Sequence, residues 1–157
     1  LDTLEKETSG SACPRMALFL RPLQDNSNAR QILQRMKSSN AYMSSVLNLL
    51  QTEDMPVKDR IDMRYLLAAL TVDFDIYVHY NTAFRSTDDA QKLYKEVTSD
   101  TYAYTLSQLK ITGKDLLALG YKGKEIGETL HTLLEMVIQE KIHNTKEELL
   151  QTLQSTI

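Results

Sequence analysis

Residues 111–138 read ITGKDLLALGYKGKEIGETLHTLLEMVI, and the fold is decided there. Thr112 followed three residues later by Asp115 has the form of a capping box, in which hydroxyl and carboxylate each serve a backbone N–H left free at a helix start. Leu116, Leu117 and Leu119 then supply one or two apolar turns. Gly120 stands where so short a helix needs a left-handed residue after its last turn. Lys122-Gly123-Lys124 restarts the chain. From there Ile126, Leu130, Leu133, Leu134, Val137 and Ile138 recur at helical spacing, opposite a polar face of Lys124, Glu125, Glu128, Thr132, Glu135 and Gln139. The unit predicted is a short helix, a glycine-bracketed turn and a long amphipathic helix.

A turn of this composition has chemical potential. The start of a helix presents unpaired N–H groups and the positive end of the macrodipole, and lysines beside a glycine make it a seat for phosphate. The alternative is that the glycines serve the turn alone and the lysines are ordinary surface charges. A P-loop is excluded, because GYKGK has the wrong glycine spacing, no Ser or Thr after the lysine and no strand before it.

Upstream, the same period repeats. Five glycines and three prolines in 157 residues, with 42% apolar residues, argue for an all-α chain with enough apolar material for a core. MALFL at 16–20 reads as a short buried helix closed by Pro22. Asn26 or Ser27 caps the next, with Ala29, Ile32, Leu33 and Met36 inward, and Ser38 or Ser39 opens a third, with Met43, Val46, Leu47 and Leu50 inward. Pro56 suits the first turn of a fourth helix reaching Leu70. Val72 to Phe84 makes a fifth, and Ser86 or Thr87 caps a sixth. Short connections make consecutive helices antiparallel neighbours. The expected architecture is a compact helical bundle, the body (1–104), followed by a helix-turn-helix tail (105–157). Residues 1–11 read as a linker, and Thr105 to Ile111 as an extended connector. The chain opens on Leu1 rather than methionine, so a fragment or processed product is expected.

Charge and cysteine usage narrow the classes. A net charge of −3 gives no bulk signal for a polyanion partner, although Arg15, Arg21, Arg30, Arg35 and Lys37 face only Asp25 within residues 15–37. Cys13 stands alone, so no disulfide framework or cysteine-based metal site is expected and a reducing cytoplasm fits best. No apolar run approaches the ~20 residues of a membrane span.

Candidates for chemistry are few. Asp73-Phe74-Asp75 is a literal D-x-D, the paired-carboxylate pattern of two-metal nucleotidyl transfer. At a helix start the two carboxylates diverge by about 200°, and acids favoured by the helix dipole explain them more simply. His79, His131 and His143 lack ligand spacing, so neither a metal nor a catalytic residue is assigned. Of the eight tyrosines, Tyr121 alone projects from the glycine turn, where it can stack on a base or simply staple the turn.

The segment ITGKDLLALGYKGKEIGETLHTLLEMV with IHNTKEELLQTL resembles the C-terminal end of bacterial CCA-adding tRNA nucleotidyltransferases and the related poly(A) polymerases. Gly113, Lys114, Asp115, Leu116, Gly120, Gly123, Gly127, Asn144, Glu147 and Leu150 carry the likeness, with Asn144 in the place of an Asn cap on the final helix. It covers residues 105–153 by motif and 15–104 by helix order; the proline that the family often has in the turn is absent. The resemblance implies a body and tail that grip the elbow of tRNA while a catalytic head, whose motifs this sequence lacks, adds C, C and A from CTP and ATP with Mg²⁺. For this chain it implies no cofactor, tRNA as partner, and RNA contacts at Lys110, Lys114, Tyr121, Lys122, Gly123 and Lys124. Arg15, Arg30 and Arg35 form a second set. The competing reading is a structural or protein-interaction bundle without RNA.

Overall fold

The computed structural model describes residues 12–155. Among them there is no strand, and the all-α expectation holds. Helix α1 covers residues 12–20, α2 Asn26–Arg35, α3 Asn40–Thr52, α4 Arg60–Ala69, α5 Phe74–Thr82 and α6 Asp88–Ser99. Then come α7 Gly113–Ala118, α8 Lys124–Ile138 and α9 Lys146–Ser155, with 3-10 turns at Arg21–Leu23 and Leu106–Gln108. The expected linker at residues 1–11 lies outside the described residues.

Two compact units divide the chain. One runs through Val57 and resumes from Ala69 to Lys92; the other takes Lys58–Ala68 and everything described from Leu93 onward. Residue 105, the start of the expected tail, lies inside the second unit.

In the first unit, Ala17, Leu20, Leu33, Val46, Leu49 and Tyr80 are buried. Cys13 is buried as well, and burial pushes its thiol pKa up to about 11. The cap of α2 is Asp25 rather than Asn26 or Ser27: its carboxylate accepts from the Ser27 N–H at 2.7 Å. Four successive residues here can cap, and only Asp adds a full charge to the dipole interaction. Ser39 caps α3, accepting from the Tyr42 N–H at 3.2 Å. Met36 does not line the inner face of α2; it is the C-cap and is 56% exposed. Phe19 likewise points out of the expected buried helix, 74% exposed.

Asn48 explains the break after the fourth helix. Its amide donates to the Ala69 carbonyl and accepts from the Thr71 N–H, each at 2.9 Å, satisfying backbone groups that a continuous helix would have paired. Pro56 does not open α4, which begins at Arg60. Asp59 provides the cap, accepting from the Asp62 N–H at 2.9 Å.

The second unit has one apolar cluster. Ala103, Leu109, Ile111, Leu116, Leu133, Val137, Ile142 and Leu149 are buried in it, and Ile126, Leu130 and Tyr121 pack on its margin. The stripe predicted along α8 therefore faces this core. Asn144 departs from its expected role, since Thr145 holds the cap position of α9. Instead Asn144, 8% exposed, accepts from the Lys110 N–H at 3.0 Å and donates to the Gln108 carbonyl at 2.9 Å. It pins the connector that leads into α7.

Candidate nucleic-acid interface

The short helix is built as its sequence predicts. The Asp115 carboxylate accepts from the Thr112 N–H at 2.8 Å and from the Thr112 hydroxyl at 2.7 Å. Its other oxygen meets the Lys146 ammonium at 2.6 Å, which ties α9 to the start of α7. The Lys146 contact first, then the two Thr112 bonds, hold the Asp115 carboxyl well below the usual carboxylate range. Of the apolar turn, only Leu116 is buried. Leu117 and Leu119 are 57% and 44% exposed, because six helical residues present only about one position to a core.

The turn closes as a Schellman motif. Tyr121 N–H donates to the Leu116 carbonyl and Gly120 N–H to the Leu117 carbonyl, both at 3.1 Å, with Gly120 at φ +97°. Tyr121 thereby sits over the apolar cluster, half-buried. Gly123 then takes φ +57° and ψ −128°, a conformation that only glycine adopts without strain, and no side chain caps α8. A Cβ at Gly120 or Gly123 would meet nothing within 4 Å, so conformation rather than crowding requires both glycines. Gly113 differs, since a Cβ there would lie 3.3 Å from Ile126 Cγ2, where α7 meets α8.

The first N–H groups of α8 thus emerge, uncapped, on an open surface between two exposed lysines. Lys122 is exposed and enters no ion pair among the described residues; the same holds for Lys110 and Lys114. Lys124 is 90% exposed and 2.7 Å from Glu128, one turn on. Such a pair is worth little in water and can be given up for a phosphate. Tyr121 also borders a groove of about 400 Å³ beside Glu125, Glu128, Met136 and Leu153, so its α8 side is acidic. The cationic side is the lysine turn itself.

The second set is placed separately. Arg15 lies on α1 and Arg30 and Arg35 on α2, all exposed and outside any ion pair among the described residues. Asp73 is the N-cap of α5 and Asp75 lies in its first turn, both exposed. Two residues apart at a helix start, they diverge by about 200° and offer Mg²⁺ no common coordinating face. Among the described residues no three His, Cys, Asp or Glu side chains form a metal-holding group, and no helix is long and apolar enough to cross a membrane. Lys146 and Asn144 are the residues that sequence reasoning missed in their actual roles. Their partners lie 31 and 34 residues away, and no local pattern encodes them.

An all-α chain with a glycine-lysine turn at a helix start is a frame suited to phosphate. The family model of tRNA nucleotidyltransferase domain 2 matches residues 14–153, and the chain belongs to that family. No curated protein and no solved structure matches it significantly.

Proposed function

We propose that this chain is the tRNA-binding C-terminal part of a CCA-adding tRNA nucleotidyltransferase of the cytoplasm. It holds folded tRNA so that the 3′ end reaches a catalytic head in the same enzyme, which uses CTP, ATP and Mg²⁺. The observation that carries the reading is the uncapped α8 start, with Gly123 at positive φ and exposed lysines on both sides, in a chain of this family. Recognition is by shape: Lys110, Lys114, Lys122 and Lys124 take phosphates, the α8 amides take another, and Tyr121 lies at the edge of the interface. Chemistry on the nucleotide belongs to the head.

The reading is tested by titrating the chain into labelled folded tRNA and into an unstructured RNA of equal length. Tighter binding of the folded tRNA is expected. Equal affinity for both, or none for either, favours a bundle whose partner is a protein.

A further inference from the structure

Two of the proposed phosphate contacts, Lys110 and Lys114, do not stand on the lysine turn. They are carried by residues 109–115, where the chain leaves the 3-10 turn at Leu106–Gln108 and starts α7. Leu109 and Ile111 are buried in the apolar cluster, and the alternation of an extended segment sends Lys110 outward between them. The Lys110 backbone N–H has no helical carbonyl to meet and donates to Asn144 Oδ1 at 3.0 Å. Asn144 Nδ2 donates in turn to the Gln108 carbonyl at 2.9 Å and to the Thr101 carbonyl at 3.4 Å. The far end of the segment is tied as well. Asp115 closes the capping box on Thr112 and meets the Lys146 ammonium at 2.6 Å.

Asn144 and Lys146 flank Thr145, the cap of α9. Three consecutive residues therefore hold this segment at both ends, at positions 110 and 115, and both exposed lysines ride on the held span. Asn144 is 8% exposed and its amide is committed to backbone groups, so it is not itself an RNA contact. A lysine on a fixed backbone meets a phosphate without the entropy loss that ordering a loose connector would add at binding.

We propose that Asn144 and Asp115 are positioning residues for tRNA binding, Asn144 acting through Lys110 and Asp115, with Lys146, through Lys114; the inference rests on the tRNA-binding reading above. The sign at Asp115 is diagnostic. Charge alone makes Asp115→Asn bind RNA more tightly, because a carboxylate beside phosphate-binding lysines is lost. Positioning makes the same variant bind more weakly.

The affinity of the full chain for folded tRNA, measured against salt and well below the melting temperature, tests the assignment. Asn144→Ala should weaken binding about three- to tenfold. It should keep the parent's salt slope, whereas Lys110→Ala should lower the slope by ~0.7–0.9. In the Lys110→Ala background, Asn144→Ala should cost less than about twofold. Asp115→Asn should weaken binding in the parent but not in Lys114→Ala. Asn48→Ala, which frees backbone groups in the first unit, controls for lost stability and should bind as the parent does. If Asn144→Ala fails to fold, Asp115→Asn carries the comparison. An Asn144→Ala chain that melts lower yet binds tRNA like the parent makes Asn144 structural only and overturns the proposal. So does tighter binding by Asp115→Asn, or an equal loss of affinity in Asn48→Ala. A parent chain that binds no folded tRNA overturns the tRNA-binding reading, and this inference with it.

Discussion

Arg64, with no exposed surface, reaches Glu140 at 2.8 Å, and Glu140 makes that ion pair from a left-handed backbone at φ +57°. The two facts explain each other. Glu140 follows the C-cap of α8 in a Schellman turn, where its N–H donates to the Val137 carbonyl at 3.0 Å and the Lys141 N–H to Met136 at 2.9 Å. Glycine is the usual occupant of that position. Here a carboxylate stands in it and answers a buried guanidinium that also meets Asp100 at 2.6 Å and the Ile138 carbonyl at 3.2 Å, and stacks over Tyr102 at 4.7 Å. The strain of a non-glycine residue, about 1–2 kcal/mol, is accepted for the charge.

Substitutions at position 140 should therefore be ordered. Glu140→Ala removes the ion pair and keeps the backbone strain, whereas Glu140→Gly removes the pair and relieves the strain. Urea denaturation should find the alanine variant less stable than the glycine variant by about 1 kcal/mol. Arg64→Met, which leaves Asp100 without its cation and Glu140 with only Arg60 at 3.4 Å, should cost about 3 kcal/mol. An alanine variant as stable as the glycine variant contradicts the strain argument.

The Asp115 cap should give the fold a recognisable acid dependence. Its carboxyl titrates lower in the folded chain than the ~3.9 of a free side chain, chiefly through Lys146 and then Thr112. The folded state thus favours the ionised form. The gain is fully present above pH ~4 and is lost as pH falls toward the folded value. The stability difference between the parent and Asp115→Asn should be constant from neutral pH to about 5 and shrink below about 4. A difference that grows on acidification contradicts the cap.

Two exposed glycines, four residues apart, should respond in opposite directions. Gly123→Ala forces a side chain into φ +57°, ψ −128°, and should destabilise the fold by about 1–3 kcal/mol. Gly127 is helical and exposed, and a Cβ there would meet nothing within 4 Å. Gly127→Ala should therefore stabilise by about 0.5–1 kcal/mol. Thermal melts of the two variants check both signs, and destabilisation by Gly127→Ala would mean that α8 meets something at that face.

What the sequence shows well is what short-range chemistry fixes. The Thr112–Asp115 cap, the left-handed Gly120 and the apolar stripe of α8 each depend on residues within about one or two turns, and each stands as read. Three kinds of feature are not legible. Where Asp25, Asn26, Ser27 and Asn28 stand in a row, every one can cap, and the residue types alone do not single out Asp25, which takes the position. Outward-facing apolar residues such as Phe19, Met36 and Leu117 carry the same letters as core residues, and only the position of the neighbouring helices turns them out. The polar pins Asn48, Arg64 and Asn144 join residues 21 to 76 positions apart, and nothing periodic announces them. The lysine turn is legible as a candidate because the glycines that shape it and the charges that flank it are contiguous.

The salt dependence of tRNA binding tests the central claim most directly. Lys114, Lys122 and Lys124 are exposed, and replacing all three by alanine leaves the apolar cluster intact. The triple variant should melt like the parent and bind folded tRNA more weakly. Its slope of log affinity against log salt should be shallower by about two, at ~0.7–0.9 for each phosphate that no longer meets a lysine. A triple variant that folds normally and binds tRNA as the parent does at every salt concentration would show that the turn is only structural.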